Sequence, residues 1–206
     1  MAHFHSDAQS AAPGADPLLV LQRWYEEAQA NKDPLPDAMT LATASSDARP
    51  SARIVLFKGI LRGGIFFVTN YQSRKARDLE ENPRAALVLH FPTWERQVRV
   101  EGRVERTAPS ESEAYFQSRP RGSQLGAWAS PQSQPITSRA EIEARSQEVE
   151  HRFEHSPVTR PEFWGGYLVI PEVVELWLGR ADRLHDRFVY RRDADANPWR
   201  IERLAP

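Results

Sequence analysis

The sequence predicts a mainly β chain with flanking helices, closed into an antiparallel barrel. Three observations predict this class. Strand-like runs succeed one another along most of the chain, the turns between them are short and rich in Gly, Pro and Asp, and helical spacing is confined to a few segments. Strands linked by short turns pair antiparallel, and helices then pack outside the sheet. At 206 residues the chain fits one domain over residues 17–206. A chain of this length buries about 70% of its unfolded surface, so its core needs neither a disulfide nor a metal.

Residues 1–16, small and polar, read as a flexible N-terminal arm. Leu18, Leu21, Trp24, Tyr25 and Ala28 then recur at helical spacing, and that helix stops near Asn31 and Pro34. From Ala38 the period changes to that of strands over 39–44, 51–58 and 64–70, split by Asp47, Pro50 and the Gly63-Gly64 turn. A short helix is expected from Ser73 to Glu81, ending before Asn82-Pro83. Two strands follow, Ala85–Phe91 and the alternating run Gln97–Glu105. Ser110 and Glu113 have capping-box spacing and open a helix to Ser118; Ser138 and Glu141 open another to Phe153. Between them, Arg119–Pro135 is rich in Gly, Ser, Gln and Pro and is expected to be irregular. Strands return at Gly166–Ile170, Val173–Leu178, Arg187–Arg191 and Trp199–Arg203.

Composition narrows the function classes. With no cysteine, a thiolate nucleophile, an iron–sulfur cluster and a Cys-ligated zinc are excluded. Lys+Arg 27 against Asp+Glu 28 argues against a nucleic-acid binder, which carries a net basic face. No apolar run approaches the length of a membrane span, and the first residues lack the basic start and apolar stretch of a signal peptide, so a cytoplasmic location is expected. The cations are unusual: only Lys32, Lys58 and Lys75 are lysines, and the other 24 are arginines. A genomic bias accounts for most of them, but the planar guanidinium also suits bidentate recognition of phosphate and carboxylate.

Four segments could carry chemistry. Ser73-Arg74-Lys75-Ala76-Arg77 puts three cations in the first turn of a helix, against its dipole. They are either solvated side chains or the seat of an anion, which would reverse the sign of that cost. Arg53-Ile54-Val55-Leu56-Phe57-Lys58 is a strand charged at both ends, with edge gatekeeping as the alternative to a binding role. Tyr115, Arg119, Arg121 and Ser123 gather where a helix runs into a loop, either as an anion cradle or as cations complementing a helix C-terminus. Arg180–Arg187 is dense in protonatable groups around His185, whose ordinary pKa lies near neutrality, though a charged hairpin turn has the same composition. Trp128, Trp164 and Trp177 could floor a planar ligand or simply fill the core. His151 and His155 have the spacing of a metal pair without a third ligand, and no metal is expected.

Seven blocks in order carry a resemblance across 16–206: RIVLFK (53–58), TNYQSRKARDLEENPRAAL (69–87), ERQVRVEGRVE (95–105), YFQSRPRGSQLGAWASPQSQPI (115–136), WGGY (164–167), ELWLGRADRLHDRF (175–188) and WRIERLAP (199–206). The chain resembles the pyridoxamine/pyridoxine 5′-phosphate oxidases. That resemblance implies an FMN-binding split β-barrel, acting as a homodimer with FMN in a cleft between subunits. It implies that Arg53, Ile54, Val55, Leu56, Phe57 and Lys58 line the flavin, with Arg53 toward its phosphate. Val68, Thr69, Arg74 and Lys75 match positions around that phosphate, and Gln97, Gln132, Ser133, Trp177 and Arg187 match the remaining FMN contacts. Lys58, Tyr115, Arg119 and Ser123 match the grip on the substrate phosphate. Arg183, Leu184 and His185 match the segment that holds the pyridine ring, with Arg183 and His185 in the catalytic roles.

The implied reaction is oxidation of pyridoxamine 5′-phosphate and pyridoxine 5′-phosphate to pyridoxal 5′-phosphate by O2, releasing H2O2 and, from the amine, ammonia. Two alternatives stand beside it: a related split-barrel flavin oxidase acting on another ring such as a phenazine precursor, and a non-catalytic flavin- or pyridoxal-phosphate-binding protein. The sequence departs from the family in three places. Residues 1–16 lack the Arg and Tyr that can fold over the substrate in relatives, Val68 replaces a common aromatic, and Phe57 replaces a usual Leu.

Overall fold

The structure, a computed structural model, describes residues 15–193 and 197–206. Most of the expected arm therefore lies outside the described residues. Asp16 lies inside them and caps the first helix, its Oδ1 accepting from the Leu18 N–H at 2.8 Å. That helix, α1 (Pro17–Ala30), buries Leu18, Leu21, Trp24 and Ala28 as their spacing predicts. Arg96, only 4% exposed, pairs with Glu27 and packs its guanidinium 5.0 Å from the Trp24 ring and 5.2 Å from the Trp94 ring. A buried, paired cation between two indoles thus fixes α1 against the sheet.

The strands are β1 (Ala38–Ala44), β2 (Pro50–Leu56), β3 (Ile60–Leu61), β4 (Gly64–Asn70), β5 (Arg84–Phe91), β6 (Arg96–Arg106), β7 (Trp164–Leu178), β8 (Asp186–Arg191) and β9 (Arg200–Leu204). All pairs are antiparallel, in the order β2-β1-β5-β6-β7-β4-β3, with β8 and β9 added to one half of β7. Just past β2 the chain meets β4: the Lys58 N–H donates to the Phe66 carbonyl at 2.9 Å, and the Phe66 N–H donates to the Gly59 carbonyl at 2.9 Å. These bonds close the sheet into a barrel around Met39, Leu41, Ile65, Phe67, Leu87, Leu89, Val98 and Val100. The chain turns at Gly59 with φ +105°, a region open to glycine.

Two predicted strands, Gly166–Ile170 and Val173–Leu178, are one strand. Pro171 looks like a break, since proline removes a ladder donor, but it falls where β7 changes partners. Up to Val169 the strand pairs with β4; from Val173 it pairs with β8; along both parts it pairs with β6. At the exchange the register slips between Glu101 and Gly102, because β7 carries one extra residue, Glu172. This is the split of a split β-barrel.

The helices α2 (Arg74–Glu81), α3 (Pro109–Ser118), α4 (Arg121–Ala129) and α5 (Arg139–Arg152) lie outside the sheet. The expectation of an irregular 119–135 is wrong over α4. Gly122 and Gly126 lower its intrinsic propensity, but the Gln124 side chain donates to the Phe116 carbonyl at 3.0 Å and ties the helix to the end of α3. The first capping box is also displaced: the helix caps at Ala108, whose N–H donates to Glu111 at 2.7 Å, rather than at Ser110. For α5, Ser138 accepts from the Glu141 N–H, while the Glu141 carboxylate takes the Thr137 N–H and hydroxyl. The strand expected over 51–58 ends at Leu56.

The bulge depends on Gly102: a Cβ there would sit 2.0 Å from the Ile170 carbonyl oxygen, so backbone must move. Gly102→Ala is expected to cost about 2–3 kcal/mol, a fall of about 4–12 °C in melting temperature. Gly122→Ala, with nothing near the new methyl, should instead hold or raise it. Thermal melts of both variants check this; a Gly102→Ala melt equal to the parent's would show that the bulge tolerates a side chain.

Candidate functional site

The structure gathers the predicted residues into three groups. The first forms where β4 leads into α2. Ser73 caps the helix by accepting from the Ala76 N–H, and Lys75, in the first turn, reaches back to the end of β4. Lys75 Nζ donates to Gln132 Oε1 at 2.9 Å and to Thr69 Oγ1 at 3.2 Å, and the Thr69 hydroxyl donates to the same Gln132 oxygen at 2.9 Å. Gln132 arrives from 63 residues away in sequence, just past α4. Ser133, beside it, is exposed and has φ +68°, a left-handed conformation strained for a residue with a side chain.

Arg53 reaches the same region from β2. It donates to Thr43 Oγ1 at 2.7 Å, the Leu41 carbonyl at 3.2 Å and Ser51 Oγ at 2.6 Å. Asp78, buried on α2, lies 3.6 Å from this guanidinium and accepts from the Thr43 hydroxyl at 2.6 Å. Burial pushes the Lys75 ammonium down to about 8, and the Arg53 charge pushes the same way. Burial also lowers Arg53, against the attraction of Asp78, and Arg74 adds repulsion. Among the described residues no carboxylate pairs with Lys75. Three cations therefore share a partly desolvated helix start with one acid between them, an arrangement that a bound anion stabilises.

Neighbouring residues of that strand do other things. Ile54 is 61% exposed and Leu56 42%, an outward apolar pair, while Val55 and Phe57 point into the core, Phe57 with its ring 5.0 Å from Tyr25. Lys58 donates to Asp37 at 3.0 Å, so its charge is already paired. Val68 packs beside Phe66, Leu168 and Tyr115.

The second group lies against α3 and α4. Arg119 caps the end of α3 in an extended conformation, and its guanidinium sits 4.5 Å from the Trp164 ring. Its Nη1 is buried and has no hydrogen-bond partner among the described residues. Burial lowers its affinity for its proton, with Tyr115 acting the other way. Tyr115 stacks near-parallel on Trp164, at 6.4 Å, and meets Phe66 edge-on at 5.3 Å. Arg119, Ser123, Gly126, Ala127, Ser130, Trp164, Asn70 and Gln132 enclose a cavity of about 250 Å³. Arg121 does not join it: its guanidinium donates to the Phe153 carbonyl at 2.6 Å, closing the end of α5. Gln132 belongs to both groups, so the Lys75 seat and the Arg119 cavity share a wall.

The third group is a row across three strands. Gln97, Trp177 and Arg187 are register neighbours on β6, β7 and β8. His185 lies 4.5 Å from the Trp177 ring, and its Nδ1 accepts from the Arg180 N–H at 3.1 Å. Nδ1 is therefore the bare nitrogen of a neutral imidazole here, leaving Nε2 to carry the proton. Arg187 makes a two-pronged bond to Glu175 at 2.7 and 3.2 Å, which holds its proton more tightly than usual. Arg183 and Leu184 are exposed, and Asp182 and Arg183 both adopt positive φ, at 56° and 61°. Among the described residues, no hydrogen bond, ion pair or ring contact joins this row to the first two groups. His151 and His155 sit at the exposed end of α5 beside Glu154.

Sequence reasoning did not find Asn70, Asp78, Asp37 or Gly126. An acid that steadies a cation, or a small residue that leaves room, has no local signature.

The fold and these groups define a split β-barrel in which two cationic groups, around Lys75 and Arg119, share a wall. Residues 26–153 match the pyridoxamine 5′-phosphate oxidase family, and residues 164–206 match the pyridoxine 5′-phosphate oxidase C-terminal dimerisation region. The chain belongs to the pyridoxamine 5′-phosphate oxidase family. It is 54% identical over 192 residues to a pyridoxine/pyridoxamine 5′-phosphate oxidase of Burkholderia lata, covering 93% of this chain and 89% of the relative. It is 54% identical over 204 residues to one of Rubrobacter xylanophilus, covering 98% and 93%. The structure superposes on PhzG from Burkholderia lata, solved with tetrahydrophenazine-1-carboxylic acid, with a TM-score of 0.90 at 30% identity, covering 98% of each chain. A pyridoxamine 5′-phosphate oxidase-related, FMN binding protein from Nostoc punctiforme shares the fold at a TM-score of 0.70 and 21% identity, covering 95% and 98%.

The lowered Lys75 gives a pH test. Between about pH 8 and its unfolded value of 10.5, the unfolded chain binds the proton more readily than the folded one, so stability rises with pH across that window. Lys75→Met removes this dependence. Melting temperatures of ligand-free parent and variant should differ by an amount that is constant below pH 8 and shifts in the parent's favour above it. Curves that stay parallel from pH 7 to 10 would mean that Lys75 is not desolvated.

Proposed function

We propose that this protein is an FMN-dependent oxidase that converts pyridoxamine 5′-phosphate and pyridoxine 5′-phosphate to pyridoxal 5′-phosphate with O2, working in the cytoplasm as a homodimer. The observation that carries the substrate class is Arg119: a guanidinium with a buried, unpartnered Nη1, not neutralised by any described carboxylate, facing a cavity that also holds a serine. A buried donor without an acceptor is costly, and a phosphate oxygen supplies one. The Lys75 seat fits a second phosphate, that of FMN. Its three cations outnumber its one acid, and Thr69, Ser73 and Gln132 supply neutral polar groups beside them.

In this reading Arg53, Thr69, Arg74, Lys75, Gln132 and Ser133 hold the cofactor phosphate. The backbone of residues 54–57, Lys58, Val68, Gln97, Trp177 and Arg187 line the rest of the flavin. FMN, when bound, supplies the two-electron acceptor that the side chains lack. Lys58, Tyr115, Arg119 and Ser123 fix the substrate phosphate, and Lys58 must exchange Asp37 for it. Arg183, Leu184 and His185 hold the pyridine ring, with Arg183 and His185 orienting its reactive carbon and balancing charge there. For the amine, the net reaction consumes O2 and water and yields aldehyde, ammonia and H2O2; for the alcohol, O2 is consumed and aldehyde and H2O2 result.

The homodimer draws support from distance. Trp164 and Trp177 stand near opposite ends of β7, and thirteen residues of extended strand span up to about 40 Å. Arg119 rests on the first and His185 on the second. One small ring with one phosphate does not bridge that gap within one chain. A two-fold partner that brings its His185 end to this Arg119 end would complete the site. The segment matching the dimerisation region, residues 164–206, begins with this strand. A second reading, oxidation of a phenazine precursor, is favoured by the PhzG superposition.

Purified protein should be yellow and should convert pyridoxamine 5′-phosphate and O2 into H2O2 and a new aldehyde absorbance. Turnover of a tetrahydrophenazine carboxylate with none of the phosphorylated pyridines would select the second reading. A colourless protein that gains no flavin from added FMN would dismiss both. Arg183→Ala should keep its flavin and lose roughly 10²-fold in kcat/KM, the scale of a misplaced substrate. Loss of flavin from that variant would move Arg183 to the cofactor.

A further inference from the structure

We propose that Trp164 is the positioning residue for Arg119, holding the guanidinium in place without neutralising it and so setting the preference for phosphorylated ligands. The inference rests on the substrate class proposed above. A cation in a binding cavity needs something to fix its direction, and the common device is a carboxylate, as Glu175 is for Arg187 and Asp37 for Lys58. A carboxylate also competes with the ligand and cancels the field the ligand should meet. An aromatic face attracts the cation through its quadrupole and leaves every N–H free.

Arg119 has that environment. Its guanidinium carbon lies 4.5 Å from the Trp164 centroid and 5.8 Å from that of Phe116. The indole is itself immobilised. Trp164 is 5% exposed, Phe116 packs edge-on against it at 5.3 Å, and Tyr115 covers it at 6.4 Å with an interplanar angle of 13°. Its carbonyl accepts from Arg160 Nη1 at 2.6 Å, and Arg160 Nε also reaches Glu113 on α3 at 3.2 Å. That clamp ties the start of β7 to the helix that carries Tyr115 and ends at Arg119. Trp164 and Arg119 line the same cavity with Ser123. Trp164 thus acts through Arg119 rather than on the substrate.

The test compares Trp164→Leu and Trp164→Phe in the flavin-loaded protein, by calorimetric titration with 4-deoxypyridoxine 5′-phosphate, which lacks an oxidisable 4′ group, and with unphosphorylated 4-deoxypyridoxine. Trp164→Leu should weaken the phosphorylated probe about ten-fold while leaving the unphosphorylated one within about two-fold. Trp164→Phe, which keeps a ring, should recover part of the loss, and flavin content should match the parent in both. In turnover the same ordering should appear in KM with kcat little changed. A Trp164→Leu protein that keeps the parent's preference for phosphate would overturn the role, as would equal weakening of both probes or equal loss in the Phe and Leu variants. A parent protein that binds both probes alike would overturn the substrate class itself, and the role with it.

Discussion

The exchange of partners along β7 is the constraint on which the rest of the molecule depends. On one edge this fifteen-residue strand keeps β6 throughout; on the other it exchanges β4 for β8, and the change is made at the bulge around Glu172. Three local choices permit it. Pro171 lacks an N–H where neither β4 nor β8 would accept one, Gly102 leaves room for the Ile170 carbonyl, and Glu172 takes up the extra step in register. Before the bulge, β7 belongs to the barrel and delivers Trp164 to the helices. After it, β7 belongs to the extension with β8 and β9 and delivers Trp177 to His185. The two aromatic supports of the candidate site are thus set by one chain segment, at opposite ends.

The electrostatics follow a second rule, the difference between cations that are paired and cations that are held. Arg187 and Lys58 rest on carboxylates, and so does Arg96 in the barrel. Lys75 is steadied by neutral oxygens of Thr69, Ser73 and Gln132, and Arg119 by an indole. Neutral supports fix direction without cancelling charge, so a field survives at those two places although the chain as a whole carries a net charge of −1. The cost is visible in the depressed proton affinity of both groups. A site that binds an anion recovers that cost on binding, and a purely structural cation would have no occasion to.

Much of this was legible in the sequence, and the failures have physical causes. Alternation placed most strands because one face of each is buried, as in β1 and β6. Cations at the start of α2, where the dipole disfavours them, singled out that turn, and the fold brings Arg53, Thr69 and Gln132 to it. The helix α4 was hidden because its two glycines lower a local propensity that a tertiary bond from Gln124 overrides. The continuity of β7 was hidden because proline argues locally for a break and only the sheet shows that no donor is needed there. Asp78 and Asn70 carried no signal, since their contributions depend on partners distant in sequence, such as Thr43 and Arg53 for Asp78, or on a cavity wall. The family resemblance implied a set of site residues; it did not say which of them one chain brings together.

The fold alone does not separate a phosphorylated pyridine from a phenazine carboxylate, because a guanidinium fork receives either anion. The donors beside that fork bear on the proposed choice between them. A carboxylate offers two oxygens with about four acceptor sites; a phosphate offers three oxygens and more charge, so it gains more from donors beyond the first arginine. Ser123 stands on the same cavity wall as Arg119, and Tyr115 stacks on the Trp164 ring that the guanidinium also faces, so donors beyond that guanidinium stand close by. The indole beneath Arg119 adds to the same side of the balance, since it keeps the arginine's full charge for a ligand carrying more than one negative charge. The further donors and the unneutralised charge are what support the proposed phosphate over a carboxylate.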